Sequence, residues 1–493
     1  MGTGPERLRA TRGLLIVALC TAGALQIAGF HDLRHDDAFI TFRYAQNLAT
    51  GNGLVFNPGE PVMGSTSPGH CLLAAIAYLS FGKLWVPSAM SALGCLAWLA
   101  QAVVLQRILR GALGDGGALF VASAVAAGAA WSHRYVALET NIVAAFVLAA
   151  ILAAVRSRWI TCALLSAAAG LMRPDAYLVA GPLGMLCVAE RRAACWKPAL
   201  VGLTASLPWA VFAAFRYGTV IPQSAVVKFA HVPFDRYVVA LVDFCGRNLF
   251  SARIHHGFFR EGTPSLLGVA AWLLAAAGTW VLVRRCAKLW VVPACAVLYA
   301  VAYSFLRASI GLEWHVYPIS LIVAVLALSA VAALADNARQ LWRPSVVVVV
   351  AVSVVGLYAY RTLRYSDAHP RAYFYGARHE VYRALADCLA VRARAGDQVA
   401  AREVGTLAYY TGLTMVDLEG LITPDIEHAA ELPPGARGWR VRIPAIERVP
   451  DRAPECEARS EPVSSRELSA RRQDRFVALL FAGLDSSAPA RHR

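Results

Sequence analysis

The chain has 493 residues, of which 58% are hydrophobic and only 16% are charged. A soluble globular domain carries about 25% charged residues, so this composition excludes a soluble protein and predicts an integral membrane protein. The 47 basic residues outnumber the 32 acidic ones, which gives a net charge of +15. Much of the excess lies in short loops between apolar runs, where Arg and Lys orient a membrane protein, so nucleic acid is not an expected partner.

The first apolar run covers residues 14–30 and follows a basic stretch at residues 7–12. The run is long for a signal peptide, and no clear small-x-small cleavage site precedes His31, so we expect an uncleaved first span. Basic segments stay on the cytoplasmic side, which predicts that the loop at residues 31–67 lies in the periplasm.

The following apolar runs alternate with basic loops. A run at residues 71–81 is shorter than the roughly 20 residues that a crossing helix needs, so we expect it to be partial or interfacial. The run at residues 84–105 is then the second crossing. Further spans are predicted near residues 117–132, 138–155, 159–173, 176–190, 198–215, 266–284, 289–307, 316–335 and 344–360. The pattern predicts about eleven transmembrane helices, with the C-terminal tail in the periplasm.

These elements predict an all-α polytopic membrane domain at residues 1–360 and a small α/β C-terminal periplasmic domain at residues 361–493. Two large periplasmic loops are expected within the membrane domain, at residues 31–67 and 216–264. The inner loops are short and basic, whereas the outer loops hold the polar and acidic residues. We therefore expect a multi-pass protein of the bacterial inner membrane, with an active site that faces the periplasm.

The first periplasmic loop begins with two adjacent acidic residues, Asp36 and Asp37. If residues 36–48 are helical, Asp36 shares a face with Arg43, and Asp37 shares a face with Tyr44. Adjacent side chains on a helix point about 100° apart, so the two carboxylates cannot share one target. A solvated or helix-capping role is the structural alternative.

The sequence of this loop resembles that of a known family. Residues 36–62, DDAFITFRYAQNLATGNGLVFNPGEPV, are similar to the first periplasmic loop of the GT-C superfamily of polyprenyl-phosphate-dependent glycosyltransferases, closest to the terminal arabinofuranosyltransferase branch. In that superfamily an acidic residue of this loop deprotonates the acceptor hydroxyl, and the resemblance gives this role to Asp36 or Asp37. We favour Asp37, because Asp36 shares a face with Arg43 and is expected to be neutralised by it.

Further segments match the same family more loosely. Residues 138–140 resemble its G-L-E-T-P element, and residues 173–175 match its R-P-D turn, which we expect to lie below the membrane surface. Residues 216–228 resemble a Y-Y-G…P-N-T…K element. Residues 396–421 resemble a β-strand and helix unit of the family's outer tail.

A phosphate leaving group in a low-dielectric pocket needs cationic partners. We therefore assign donor-phosphate binding to four residues: Arg43, Arg173, Lys228 and His315. Two structural alternatives remain, since Arg173 can instead tie its turn through Asp175, and Arg43 can pair with Asp36. We assign three residues to an acceptor or structural site: Glu139, Asp175 and Tyr44.

Together these features predict an inverting glycosyltransferase. It would move an arabinofuranose-like or other pentose or hexose sugar from a polyprenyl-phosphate donor to a glycan or lipid acceptor of the cell envelope. No P-loop or dinucleotide fingerprint occurs, so a nucleotide sugar is not the expected donor. No metal-ligand spacing occurs, so we predict no metal ligand and no certain cofactor, with a divalent cation left open. The alternative is a transporter or flippase of a lipid-linked sugar, which predicts repeat-like halves and broken helices near the midplane.

Overall fold

The apolar runs of the sequence form long helices. The computed structural model describes residues 35–128, 136–227, 234–247, 266–306, 313–336, 374–394, 396–424 and 438–440. The first and last predicted spans, at residues 14–30 and 344–360, lie outside the described residues. The total of about eleven membrane helices therefore stays a prediction.

Leu, Val and Ala dominate the helices of the membrane domain. A helix satisfies its own backbone polar groups, which is the condition for crossing a bilayer. In chain order the helices are α1 (Asp36–Ala49), α2 (Pro68–Phe81), α3 (Val86–Gly128), α4 (Thr140–Val155), α5 (Trp159–Met172), α6 (Ala180–Arg191), α7 (Trp196–Tyr217), α8 (Gln223–Val227), α9 (Phe234–Arg247), α10 (Leu266–Arg285), α11 (Val291–Leu306) and α12 (Glu313–Asp336). A 3-10 segment, Pro174–Val179, precedes α6.

Four segments of the described chain are long and apolar enough to cross a membrane: Lys83–Ala126, Pro174–Tyr217, Ala287–Phe305 and Trp314–Leu334. Each of the first two has 44 residues, about twice the length of one crossing. Gly114, with φ of 66°, breaks α3, and the Trp98 indole N–H donates to the Ala126 carbonyl at 3.2 Å, so α3 folds back on itself. Arg192, with φ of 46°, separates α6 from α7. The protein is therefore a multi-pass membrane protein.

Helix α2 covers the run that we expected to be partial or interfacial. Its 14 residues rise about 21 Å, which is shorter than the roughly 30 Å of the hydrocarbon core. The helix lies along α1. An exposed apolar stripe is formed by Leu72, Ile76 and Leu79. A short helix with one packed and one exposed apolar face fits an interfacial position.

One end of the bundle collects loops that the sequence predicts to be cytoplasmic. The Lys288 ammonium lies 2.6 Å from a Glu190 carboxylate oxygen and donates to the Ser157 hydroxyl at 2.9 Å. The Arg285 guanidinium donates to the Ala112 carbonyl at 3.2 Å. These contacts join the turns after α4, after α6 and before α11 to the break in α3. We call this group of residues the basic end.

The C-terminal region packs against α1 as a small α/β unit. Its elements are α13 (Phe374–Arg392), β1 (Gln398–Ala401), α14 (Gly405–Thr411), β2 (Thr414–Asp417) and β3 (Gly438–Arg440). The strands are parallel in the order β2-β1-β3, and Val399 pairs with Met415. The β1–α14–β2 unit lies within residues 396–421, where the sequence predicts a strand and helix unit.

Candidate active site

The turn between α5 and the 3-10 segment holds a buried ion pair. Arg173 is 3% exposed, and its Nε donates to one Asp175 carboxylate oxygen at 3.0 Å. Its Nη2 pairs with the other Asp175 oxygen at 2.5 Å, which also accepts the Tyr303 hydroxyl. Pro174 begins the tight 3-10 turn between the two charged residues. Two-point pairing with a carboxylate is an arrangement that stabilises a buried guanidinium.

Arg173 also fixes the start of α12. Its Nη1 donates to the Trp314 carbonyl at 2.7 Å, and its Nη2 lies 3.4 Å from the His315 carbonyl. The Arg173 guanidinium thus binds acceptors both in its own turn, at Asp175, and at the start of α12. A direct phosphate contact would require breaking these bonds, so the structure favours the alternative in which Arg173 ties down its turn.

Asp37 is linked to this cluster through two aromatic side chains. His35 caps α1, since its Nδ1 accepts the Asp37 backbone N–H at 3.2 Å. The His35 ring meets the Trp314 ring edge-on, with 4.6 Å between centroids, and the Trp314 carbonyl holds Arg173. The Asp37 side chain is 28% exposed, so it can be reached from outside the bundle.

Two further predicted residues lie in the same area. Glu139 precedes α4 and is 7% exposed, and it is close enough to Arg173 for their charges to interact. His315 is half-buried, and its ring centroid lies 5.8 Å from that of Trp314. The structure therefore brings five predicted residues together, and we call this group the mouth: Asp37, Glu139, Arg173, Asp175 and His315.

Asp36 points about 100° away from Asp37 around α1, toward the C-terminal region. One carboxylate oxygen accepts the Gly405 N–H at 2.9 Å, and the other accepts the Thr406 N–H at 2.7 Å. Burial raises the pKa of Asp36 above its usual range, while the bonds from Thr406 and Gly405 oppose this rise. The expected neutralisation by Arg43 is wrong, because the helix N-terminus takes that place.

Arg43 is 3% exposed, and burial lowers its pKa to about 10. Its Nε donates to the Phe56 carbonyl at 3.1 Å, and its Nη2 donates to the Gly412 carbonyl at 3.0 Å. A buried guanidinium needs acceptors, and two backbone carbonyls supply them. The structure thus gives Arg43 a contact with the C-terminal region in place of the predicted phosphate contact.

Tyr44 is a structural residue. Its hydroxyl donates to the Val62 carbonyl at 2.6 Å and accepts the Gly64 N–H at 2.8 Å. These two bonds close the loop after α1. The Tyr44 side chain is 1% exposed, so an acceptor molecule has no route to it. Of the two roles predicted for Tyr44, the structural one agrees with this geometry.

The second outer loop meets the first at Gln223, whose N–H donates to the Met63 carbonyl at 2.8 Å. Lys228, the remaining predicted phosphate ligand, follows α8 and lies outside the described residues. Within the described part of the chain, no three His, Cys, Asp or Glu side chains form a group that could hold a metal ion.

The sequence reasoning missed three residues of the site: His35, Trp314 and Tyr303. His35 directly precedes the acidic pair, and a polar residue before a predicted helix is a capping signal. Trp314 and Tyr303 lie in or beside predicted spans. Aromatic residues are common at the membrane interface whether or not they belong to a functional site. Their sequence positions therefore carry no distinct signal.

Comparison with known proteins finds one matching family model and solved structures with a similar fold. Residues 371–456 match a family model described as a domain of unknown function (DUF8728). No curated protein matches the chain. The crystal structure of ArnT from Cupriavidus metallidurans bound to undecaprenyl phosphate is 14% identical, with a TM-score of 0.58, covering 87% of this chain and 93% of that chain.

The apo state of the same ArnT is 16% identical, with a TM-score of 0.57 and the same coverage of 87% and 93%. The Archaeoglobus fulgidus oligosaccharyltransferase in complex with Zn and sulfate is 12% identical, with a TM-score of 0.47, covering 81% of this chain and 62% of that chain. The last likeness is too low to add to the argument. The ArnT likeness extends over most of both chains, so this protein shares the fold of ArnT.

Proposed function

We propose that the protein is a glycosyltransferase of the bacterial inner membrane, which transfers a sugar from a polyprenyl-phosphate donor to a cell-envelope acceptor on the periplasmic face. The observation that carries this proposal is the position of Asp37, a partly exposed carboxylate at the mouth of an ArnT-like fold. The resemblance of residues 36–62 to a GT-C loop gives independent support. The ArnT structure with bound undecaprenyl phosphate supports a donor of that chemical class.

In the proposed reaction Asp37 is the general base. The acceptor hydroxyl attacks C1 of the donor sugar from the face opposite the phosphate, and Asp37 takes the hydroxyl proton. The bond between C1 and the phosphate oxygen breaks, polyprenyl phosphate leaves with the electron pair, and the configuration at C1 inverts. A positioned base contributes about 10²–10⁴-fold to the rate.

The leaving phosphate requires positive charge or hydrogen-bond donors. We assign this role to His315 at the mouth and to Lys228. Arg173 acts as a positioning residue, because its guanidinium holds Asp175 and the Trp314 carbonyl. This arrangement fixes the start of α12, and with it His315.

The sugar class follows from the resemblance to the arabinofuranosyltransferase branch. We propose an arabinofuranose-like sugar or a related pentose or hexose, and an acceptor that is a glycan or lipid of the cell envelope. Glu139 is the buried carboxylate that we assign to the acceptor side, since it lies at the start of α4 beside Arg173.

The test uses purified full-length protein in liposomes with a panel of radiolabelled polyprenyl-phosphate sugars and cell-envelope glycan acceptors. We expect label on the acceptor and release of polyprenyl phosphate. Asp37→Asn should keep donor binding and lower kcat by about 10²–10⁴-fold. Asp235→Asn is the matched control, because Asp235 is an exposed carboxylate on α9.

The same experiment separates the enzyme from a transporter or flippase. A transporter would move the label across the liposome membrane while the sugar remains on its lipid, and Asp37→Asn would not change the amount of free polyprenyl phosphate. That result, with no labelled acceptor for any sugar, would contradict the proposed function.

A further inference from the structure

We propose that Asp36 and Arg43 are positioning residues, which hold the C-terminal region on the helix that carries Asp37. Asp36 binds the first turn of α14, and Arg43 binds the residue that follows its last turn. The orientation of Asp37, the proposed base, therefore depends on a segment more than 360 residues away in the chain. The catalytic consequence rests on the proposed function, whereas the docking itself does not.

The two charges match the two ends of α14. Asp36 and Arg43 lie seven residues apart on α1, which places them two turns apart on one face. Helix α14 also has seven residues. Asp36 accepts the first two N–H groups of α14, Gly405 and Thr406, and Arg43 donates to the carbonyl of Gly412, the residue after its last turn. The negative group meets the positive end of the helix dipole, and the positive group meets the negative end.

The contact surface between the two charges is closely packed. A Cβ added to Gly405 would lie 2.2 Å from the Asp36 carbonyl oxygen, so a larger residue would push α14 away from α1. The Phe39 ring lies between the two charged residues, 5.6 Å from the ring of Tyr409 and 5.0 Å from that of His379. The contact is therefore continuous from one end of α14 to the other.

This docking acts on the first turn of α1, to which Asp37 belongs. Without α14, Asp36 would lose both of its N–H partners, while the His35 cap on the Asp37 N–H would remain. A shift of 1 Å at a reacting group can cost about 10²-fold in rate. The C-terminal region thus acts on catalysis by fixing the direction of Asp37.

The test compares kcat for Asp36→Asn, Asp36→Ala, Gly405→Ala and the double variant Asp36→Ala with Gly405→Ala, all in the full chain. An Asn side chain still accepts one N–H, so Asp36→Asn should lose about 10-fold and Asp36→Ala about 10²-fold. Asp36→Ala and Gly405→Ala each disrupt the same contact between α1 and α14. The double variant should therefore be no slower than the slower of the two single variants. Asp235→Asn again serves as the control for loss of a carboxylate.

Hydrogen exchange of the α14 amides gives a readout that does not require activity. We expect Asp36→Ala and Gly405→Ala to accelerate exchange at residues 405–411, and Asp37→Asn to leave it unchanged. Unchanged exchange in Asp36→Ala would overturn the docking. If Asp36→Asn were as slow as Asp37→Asn, or if the double variant showed multiplied losses, Asp36 would act in the chemistry itself. Failure of the proposed function would appear separately, as an inactive wild type with the predicted exchange pattern intact.

Discussion

Asp36 and Asp37 are adjacent and chemically identical, but they belong to two different regions of the molecule. Asp36 faces the C-terminal region, where two backbone N–H groups bind it. Asp37 lies on the mouth side, beside His35 and Trp314. The helix separates the two side chains by about 100°, so one residue of difference decides which region each carboxylate serves. A paired acidic motif can therefore place its two carboxylates in different regions of the molecule.

The largest expected difference between the two regions is in kcat. Asp37→Asn should lose about 10²–10⁴-fold, whereas Asp36→Asn should lose about 10-fold, because only Asp37 is proposed to accept the proton. Single-turnover rates with saturating donor measure this difference without interference from product release. Equal losses for the two variants would remove the distinction between the two aspartates.

The next effect concerns the ion pair at the mouth. Arg173→Gln removes the charged partner of Asp175, whose carboxylate is 18% exposed and keeps the Tyr303 hydroxyl. The change should lower the free energy of unfolding by about 3 kcal/mol. Thermal unfolding in detergent measures this loss, and Asp175→Asn is the matched variant on the other side of the pair. A stable Arg173→Gln protein with a raised donor KM would instead show that Arg173 binds phosphate.

A smaller effect distinguishes the C-terminal region by its pH dependence. Burial raises the pKa of Asp417 from 3.8 to about 6, while bonds from three backbone N–H groups oppose the rise. The folded state thus binds more protons than the unfolded state between these values, so stability falls as the pH rises from about 4 to about 6, by about 3 kcal/mol.

Below pH 4 Asp417 is protonated in both the folded and the unfolded protein, and its contribution to stability is fully present. Above pH 6 this contribution is lost. Asp417→Asn should remove this slope, as measured by hydrogen exchange of residues 414–424 over that pH range. Asp387→Asn is the control, since its side chain is 59% exposed. A slope that persists in Asp417→Asn would assign the pH dependence to another group.

The smallest expected effect tests the loop beside the docking surface. Tyr44→Phe removes the hydroxyl that bridges Val62 and Gly64 and leaves the Gly64 N–H without that acceptor, at a cost of about 1–3 kcal/mol in unfolding free energy. Thermal unfolding should detect it, with kcat nearly unchanged. A loss of acceptor affinity at unchanged stability would return Tyr44 to the acceptor site.

Composition and local pattern by themselves determined the membrane class and most of the helix positions. Partition into a bilayer depends on how many apolar residues follow one another, and that is visible in the chain. The break near Gly114 follows from the same pattern, because the apolar runs at residues 84–105 and 117–132 are separated by a basic loop. The strand and helix unit at residues 396–421 was expected from the family resemblance. Glu139 and Arg173 were assigned to the same side of the membrane but to different sites, and the structure places their charges close enough to interact.

Only the tertiary structure decided what the charged residues do. Asp36 binds an N–H group 369 residues further along the chain, and Arg173 binds a carbonyl 141 residues away. Local sequence shows that a buried charge needs a partner but does not identify the partner, because backbone donors and acceptors occur at every residue. The resemblance narrowed the proposed base to two aspartates, and the packing of α14 against one face of α1 gives the two carboxylates different surroundings. That packing depends on the approach of two distant segments, which no local pattern specifies.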